Sequence, residues 1–264
     1  MQIYNTSALY NQNMNEEKQK MFMQFYSKLF SNLNIKTVHD CSIGAGGTTL
    51  PLAKLGFQVS GSDLSENLLK KADENFNNAG FKIDLCKSDF RDLSNLPNTY
   101  DCMISTGNSL PHINNADVIT FIKECSQKLN DNGYLYIDIR NWDAILKERP
   151  IFKARDPRVM TSKEHSSLYH FWNWYKDNSV DFVFVTSTDK NGKHEKHSVL
   201  KAPTYYPLKL NDYKKMLTDN GFVLIDCYDL DHLWIGSEHE QHKVAEFNKD
   251  FEFINWYGIL AQKL

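Results

Sequence analysis

The chain lacks several features, and each absence removes a class of protein. No apolar run approaches the roughly 18 residues that a membrane span requires, so a helical membrane protein is not expected. There is no C-x-x-C pair. The five cysteines (Cys41, Cys86, Cys102, Cys125 and Cys227) are odd in number and widely spaced, which disfavours a zinc ribbon or a disulfide framework and suits reduced thiols in a cytoplasmic setting. No long Lys/Arg run is present, and 30 basic against 33 acidic side chains leave a net charge of −3, so no strong grip on nucleic acid is expected. The first residues carry neither a basic n-region nor an apolar h-region, so no secretory leader is read there. Glycine is scarce, at 12 of 264 residues, and no internal repeat is evident, which argues against a fibrous class. What remains is a globular protein with 41% apolar residues, ample for a core, and 13% aromatics.

The hydrophobic pattern alternates between two periods over the first 140 residues. An apolar helical face runs from Asn15 to Leu33. Strand-like runs at 37–42, 57–63, 83–87, 101–106 and 134–138 then alternate with helices over 48–55, 65–76 and 115–129, with Ser65 as an N-cap and Asn130–Gly133 as a turn. Such alternation implies βαβ crossovers and a parallel sheet. Beyond Asn141 the pattern becomes three strands at 168–175, 180–188 and 194–201, the last two joined at Asn191-Gly192. A helix over 210–220 and strands over 222–229 and 251–262 close the chain, the two strands forming an antiparallel pair at one edge of the sheet. The expected organisation is a core over residues 1–141, an inserted β-meander lid over 142–207, and a C-terminal helix and strand pair over 208–264 that completes the core sheet. That makes an α/β, doubly wound, Rossmann-like sheet of seven strands, the last antiparallel.

Three of the 12 glycines are gathered in Asp40-Cys41-Ser42-Ile43-Gly44-Ala45-Gly46-Gly47-Thr48, where a strand turns into a helix. Glycine there lets backbone approach a ligand closely, and a helix N-terminus offers free N–H groups. Asp63 ends the next strand, nineteen residues beyond Gly44, at the spacing of a carboxylate that receives ribose hydroxyls. A nucleoside ligand is therefore expected. A dinucleotide fingerprint would require a third glycine where Thr49 stands and gives no role to Asp40, so a nicotinamide dehydrogenase is disfavoured.

The pattern D-x-x-x-G-x-G with an Asp one strand later resembles the class I S-adenosylmethionine-dependent methyltransferases. Ile43 stands where that family usually has cysteine. Two further segments, Gly107-Asn108-Ser109-Leu110-Pro111-His112 and Asp138-Ile139-Arg140-Asn141-Trp142-Asp143, resemble the glycine/sarcosine N-methyltransferase group, as does Thr204-Tyr205-Tyr206-Pro207. Trp142 replaces the group's usual tyrosine. The resemblance implies S-adenosylmethionine as cofactor, with S-adenosylhomocysteine as product. It places the cofactor against Tyr10, Asp40, Ser42, Gly44, Ala45, Gly46, Asp63, Leu64, Asp89, Phe90 and Thr106. It assigns Arg140 to an acceptor carboxylate, with Asn108, Trp142, Tyr205 and Tyr206 around the acceptor, and gives catalytic roles to His112, Asn108 and Tyr206.

Plainer readings stand beside these. Arg140 at the carboxyl end of a central strand suits bidentate capture of a carboxylate, but it could instead pair with Asp138 or Asp143. Asn108 and His112 could be loop caps. The rings Phe152, Tyr169, Phe171, Trp172, Trp174 and Tyr175 could cover a cationic methyl donor or form the meander's own core. The His232, Glu238, His239, Glu240 and His242 cluster lacks fixed ligand spacing, so no metal is expected. The expected partner is a small-molecule substrate, with neither nucleic acid nor membrane, and oligomeric state is left open. Another small-molecule acceptor, or a non-catalytic module that binds the cofactor, remains an alternative.

Overall fold

The structure, a computed structural model, describes residues 14–161, 164–235 and 254–264. In chain order its elements are α1 (Glu16–Leu29), β1 (Thr37–Asp40), α2 (Leu50–Lys54), β2 (Gln58–Asp63), α3 (Glu66–Asn78), β3 (Asp84–Lys87), β4 (Tyr100–Ser105), α4 (Asn115–Lys128) and β5 (Leu129–Arg140). There follow α5 (Trp142–Glu148), β6 (Phe152–Thr161), β7 (Glu164–Trp174), β8 (Val180–Lys190), β9 (Lys193–Lys201), α6 (Leu210–Asp219), β10 (Phe222–Asp229), α7 (Asp231–Ile235) and β11 (Trp256–Lys263).

Seven strands form one sheet in the order β10-β11-β5-β4-β1-β2-β3. All neighbouring pairs from β5 to β3 are parallel, and β11 runs antiparallel to both β5 and β10. Because a parallel sheet is covered on both faces, successive residues of one strand enter opposite cores. Cys102 and Ile104 join the α1 side with Phe22, Tyr26 and Leu52, while Met103 joins the α4 and α6 side with Phe121, Ile122 and Tyr213. Chain order reverses between β1 and β4, and the carboxyl ends of those strands open the crevice in which such sheets bind ligands. No helix among the described residues is long and apolar enough to cross a membrane.

Local chemistry sets the helix starts. Asn15 caps α1 by accepting from the Lys18 N–H at 2.8 Å, with Glu16 and Glu17 in the first turn. Ser65 caps α3 as its sequence context suggests, accepting from the Leu68 N–H.

The segment between β5 and α6 differs from the sequence expectation. It carries the short helix α5 and a sheet of four strands, β6-β7-β8-β9, where three were expected. β6 was concealed by Pro157. As an edge strand it tolerates the missing N–H, and its register slips between Arg155 and Arg158, across that proline. Residues 130–133, expected as a turn, lie within β5. The pairing with β4 shifts between Tyr100 and Cys102, and Asn132 adopts φ 58°.

Candidate active site

The glycine loop is held mainly by backbone donors. Asp40, fully buried at the end of β1, accepts from the Ser42 N–H at 2.9 Å and from the Thr49 hydroxyl, so its carboxyl closes the loop on itself. Asp63 accepts from the Gly44 N–H at 2.9 Å on one oxygen and from the Ser65 N–H at 2.8 Å on the other. Burial pushes Asp40 up to about 7, against the pull of its donors, and also raises Asp63. Gly46 has φ +81°, and a Cβ there would meet the Phe76 ring at 2.6 Å, so no other residue fits. The Ile43 side chain lies over Gly61 of β2, where an added Cβ would stand 2.3 Å from Cδ1 and 2.9 Å from Cβ of Ile43. From α3, Asn75 donates to the Ala45 carbonyl at 2.8 Å, and Thr48 shares a hydrogen bond with Thr106 at the end of β4.

Across the crevice the chain is tied by side chains. Gly107 and Asn108 take left-handed conformations after β4, with φ 74° and 61°. Their N–H groups donate to the Asp138 carboxylate at 2.6 Å and to its carbonyl at 3.2 Å. Asn108 Oδ1 in turn accepts from the Arg140 N–H at 3.1 Å and from Trp142 Nε1 at 3.0 Å, bracketing the end of β5. His112 closes a short 3₁₀ turn, Leu110–His112, with its ring 4.2 Å from that of Tyr205. Burial first, and the Arg140 charge second, lower the His112 imidazole to about 4, so it is neutral near pH 7. Tyr205 is buried against Trp142, Trp172 and Phe182, a cluster that couples the four-stranded sheet to this rim.

Between these rims lies a cleft of about 1340 Å³. Of the residues expected at a cofactor, Ser42, Gly44, Ala45, Gly46, Asp63, Leu64, Phe90 and Thr106 line it, and of those expected at an acceptor, Asn108, His112, Arg140 and Tyr205 do. The residues present fit a nucleoside cofactor: left-handed glycines expose loop backbone, Asp63 stands at the ribose spacing, and the apolar Leu64, 47% exposed, and Phe90 offer surfaces for a base.

Four of the expected residues do not line the cleft and one lies outside the described residues. Asp40 sits beneath the loop, where it accepts from Ser42 and Thr49, and does not line the cleft. Asp89 is turned to Arg91, whose guanidinium joins it at 2.6 Å and Asp117 at 2.9 Å; the Arg91 hydrogen bond holds Asp89 below the usual carboxylate range. Trp142 is fully buried behind Asn108 rather than in the pocket wall. Tyr206 does not line the cleft: its N–H is drawn to the Pro111 carbonyl at 2.7 Å, and neighbouring side chains of extended backbone point opposite ways, so Tyr205 takes the cleft side. Tyr10 lies outside the described residues, as do Glu238, His239, Glu240 and His242. Among the described residues no cluster of three metal-ligating side chains occurs.

The insertion's rings pack largely with one another. Trp172 is buried in the cluster behind Tyr205, while Phe152, Phe171 and Tyr175 are between 42% and 49% exposed. None of the six lines the cleft. Sequence reasoning also missed Trp234 and Trp256, which do line it, because no motif marks them.

Residues 38–133 match a family model described as a methyltransferase domain. The chain is 30% identical over 249 residues to a glycine/sarcosine N-methyltransferase from Parasynechococcus marenigrum, covering 90% of this chain and 76% of that protein. Among solved structures, an S-adenosylmethionine-dependent methyltransferase from Clostridium acetobutylicum aligns with TM-score 0.72 at 19% identity, covering 99% of this chain and 96% of that one. An amino pentose methyltransferase from Micromonospora echinaspora with bound S-adenosylmethionine also gives 0.72, at 12% identity, covering 100% and 98%. Structural likeness at such identities speaks for the fold; the sequence match to the first relative speaks for kinship. The chain belongs to the S-adenosylmethionine-dependent methyltransferase family and is an enzyme that uses S-adenosylmethionine.

Proposed function

We propose that this enzyme transfers a methyl group to the amine nitrogen of a small carboxylate-bearing metabolite, with glycine or sarcosine as the named candidates. The observation that carries the reading is the Arg140 guanidinium. It lines the cleft at the carboxyl end of β5 and has no carboxylate partner among the described residues. The two acids that could neutralise it are engaged elsewhere: Asp138 takes the Gly107 N–H and Trp256 Nε1, and Asp143 takes the Leu210 N–H at 2.9 Å. An unpaired guanidinium in a cleft is a ready fork for a carboxylate. The relative from Parasynechococcus marenigrum is named for glycine and sarcosine, which supports the same class.

S-adenosylmethionine, when bound, supplies a methyl group on a good leaving group. The loop backbone around Gly44 and Gly46, with Asp63, would hold it. Arg140 would fix the acceptor's acid end so that its amine faces the methyl carbon, and alignment then supplies much of the rate. With the cofactor bound, the nitrogen lone pair so aligned would form the new N–C bond as the C–S bond broke, and the positive charge would pass to nitrogen. The surplus N–H proton leaves to solvent, and the neutral His112 imidazole, held unprotonated by burial and by Arg140, can accept a hydrogen bond that orients the amine. Tyr205, not Tyr206, is the tyrosine suited to the acceptor side, and the 142–207 segment serves that side through it. Five free cysteines support a reducing, cytoplasmic setting.

The test is a panel of amines with and without a carboxylate, including amino sugars and hydroxy compounds, assayed for methyl transfer by mass spectrometry. Turnover on glycine or sarcosine is expected. Turnover confined to amines without an acid group would overturn the reading.

A further inference from the structure

Lys18 of α1, Trp234 of α7, Trp256 of β11 and Arg140 of β5 form one column in the cleft wall. The two indoles stack with centroids 4.5 Å apart and planes 19° from parallel. Nothing fits between rings at that spacing, so each cation occupies an outer face. The Arg140 guanidinium carbon stands 5.5 Å from the Trp256 ring and Lys18 Nζ stands 5.1 Å from Trp234.

The column is built from separate parts of the chain. Trp256 lies directly opposite Arg140 in the antiparallel β5–β11 register. The Asp231 carboxylate accepts the Asn255 N–H and the Trp256 N–H, both at 2.8 Å, which pins the start of β11. Trp256 Nε1 donates to Asp138 Oδ1 at 3.2 Å, the oxygen that also receives the Gly107 N–H. Swinging the ring away from Arg140 would therefore break its hydrogen bond to the carboxylate that also holds the Gly107–Asn108 loop. Trp234 backs it, and Phe22 of α1 meets Trp234 edge-on at 5.6 Å.

An arginine with no acid partner explores several rotamers, and capture of a carboxylate then costs conformational entropy. A fixed aromatic face removes part of that cost. We propose that Trp256, backed by Trp234, is a positioning residue that sets the Arg140 guanidinium for the acceptor's carboxylate, so that selectivity for acid-bearing amines is built by the last strand as well as by β5. This rests on the reading of Arg140 given above.

The test compares kcat/KM for glycine with that for glycinamide, its neutral counterpart, alongside S-adenosylmethionine affinity by calorimetry. Trp256→Leu is expected to raise the glycine KM about tenfold, with kcat changed much less, cofactor affinity within about twofold, and the glycine/glycinamide preference reduced by a similar factor. Trp256→Phe, which keeps a ring under the guanidinium, should restore most of the loss, and Trp234→Leu should give a smaller rise. The proposal is overturned if Trp256→Leu leaves the preference intact, if glycine and glycinamide weaken alike, or if both Trp256 variants lose cofactor binding. Arg140→Ala separates the two readings. A rise in glycine KM there, with no effect of the Trp256 variants, overturns the positioning role alone. No rise there overturns the carboxylate site and the positioning role together.

Discussion

The two rims of the cleft are made of different material. On the cofactor rim, backbone meets buried acid: the Gly44 and Ser65 N–H groups on Asp63, and the Ser42 N–H on Asp40. On the acceptor rim the Gly107 N–H on Asp138 repeats that device, but most of the contacts are side chain on side chain: Trp142 on Asn108, Tyr205 on His112, Arg140 on Trp256. A backbone-built rim depends on chain path, so it tolerates changes such as Ile43 while demanding glycine and aspartate at a few positions. A side-chain-built rim keeps its path under substitution but changes what it recognises. Cofactor use and acceptor choice should therefore be separable by mutation.

The largest expected effect tests the cofactor rim. Asp63→Ala removes the acceptor for two loop N–H groups and for a ribose, and should weaken S-adenosylmethionine binding about 100-fold by calorimetry. Unchanged affinity would show that the loop holds its shape and its ligand without that acid. Next, Arg140→Ala should raise the acceptor KM about 30-fold while cofactor affinity stays within about twofold. A parallel loss of cofactor affinity would erase the distinction between the rims. Trp142→Phe keeps the ring volume but removes the N–H that Asn108 accepts, a bond worth about 1 kcal/mol, so kcat should fall about fivefold with cofactor affinity retained.

The smallest effect is on stability. His112 is held at about 4 in the fold against the ordinary 6.5, so the unfolded chain binds more protons between those values. Its contribution is full above pH 6.5 and is lost as pH falls toward 4, with His39, buried between two serines and lowered to about 3, acting in the same direction. Asp40 and Asp138, both raised to about 7 by burial, oppose this because their protonated forms favour the fold. Comparing one substitution cancels those carboxyls. His112→Asn should lose less melting temperature than the parent between pH 7 and pH 5. An equal or greater loss would mean the imidazole is already protonated in the fold.

The same contrast explains what could be read from the sequence. Gly44, Asp63 and the Ser65 cap were legible because backbone geometry leaves a local mark: a glycine, a spacing, a capping hydroxyl. The parallel sheet followed from alternation of period, though the order of its strands did not. Pro157 hid β6, since only an edge position excuses a proline in a strand. The contact between Arg140 and Trp256 exists only because β11 inserts between β5 and β10, which no local pattern announces. Asp89 stays out of the cleft lining because a neighbour two residues on, Arg91, takes up its carboxylate. Tyr205 and Tyr206 were indistinguishable because the phase of a short extended segment is set by tertiary pairing, here the bridge between Val180 and Tyr205.

The contact of Ile43 with Gly61 bears on the route this loop can take through descent. Not only the tip of the isoleucine but its Cβ lies within 3 Å of where a side chain at position 61 would begin, so a rotamer change does not make room. While isoleucine is present, every single replacement at 61 meets a clash in the middle of β2. Only glycine at 43, or a shift of the loop backbone, frees 61 to vary. The unusual loop residue thus constrains which neighbouring mutations can come first, through packing against β2.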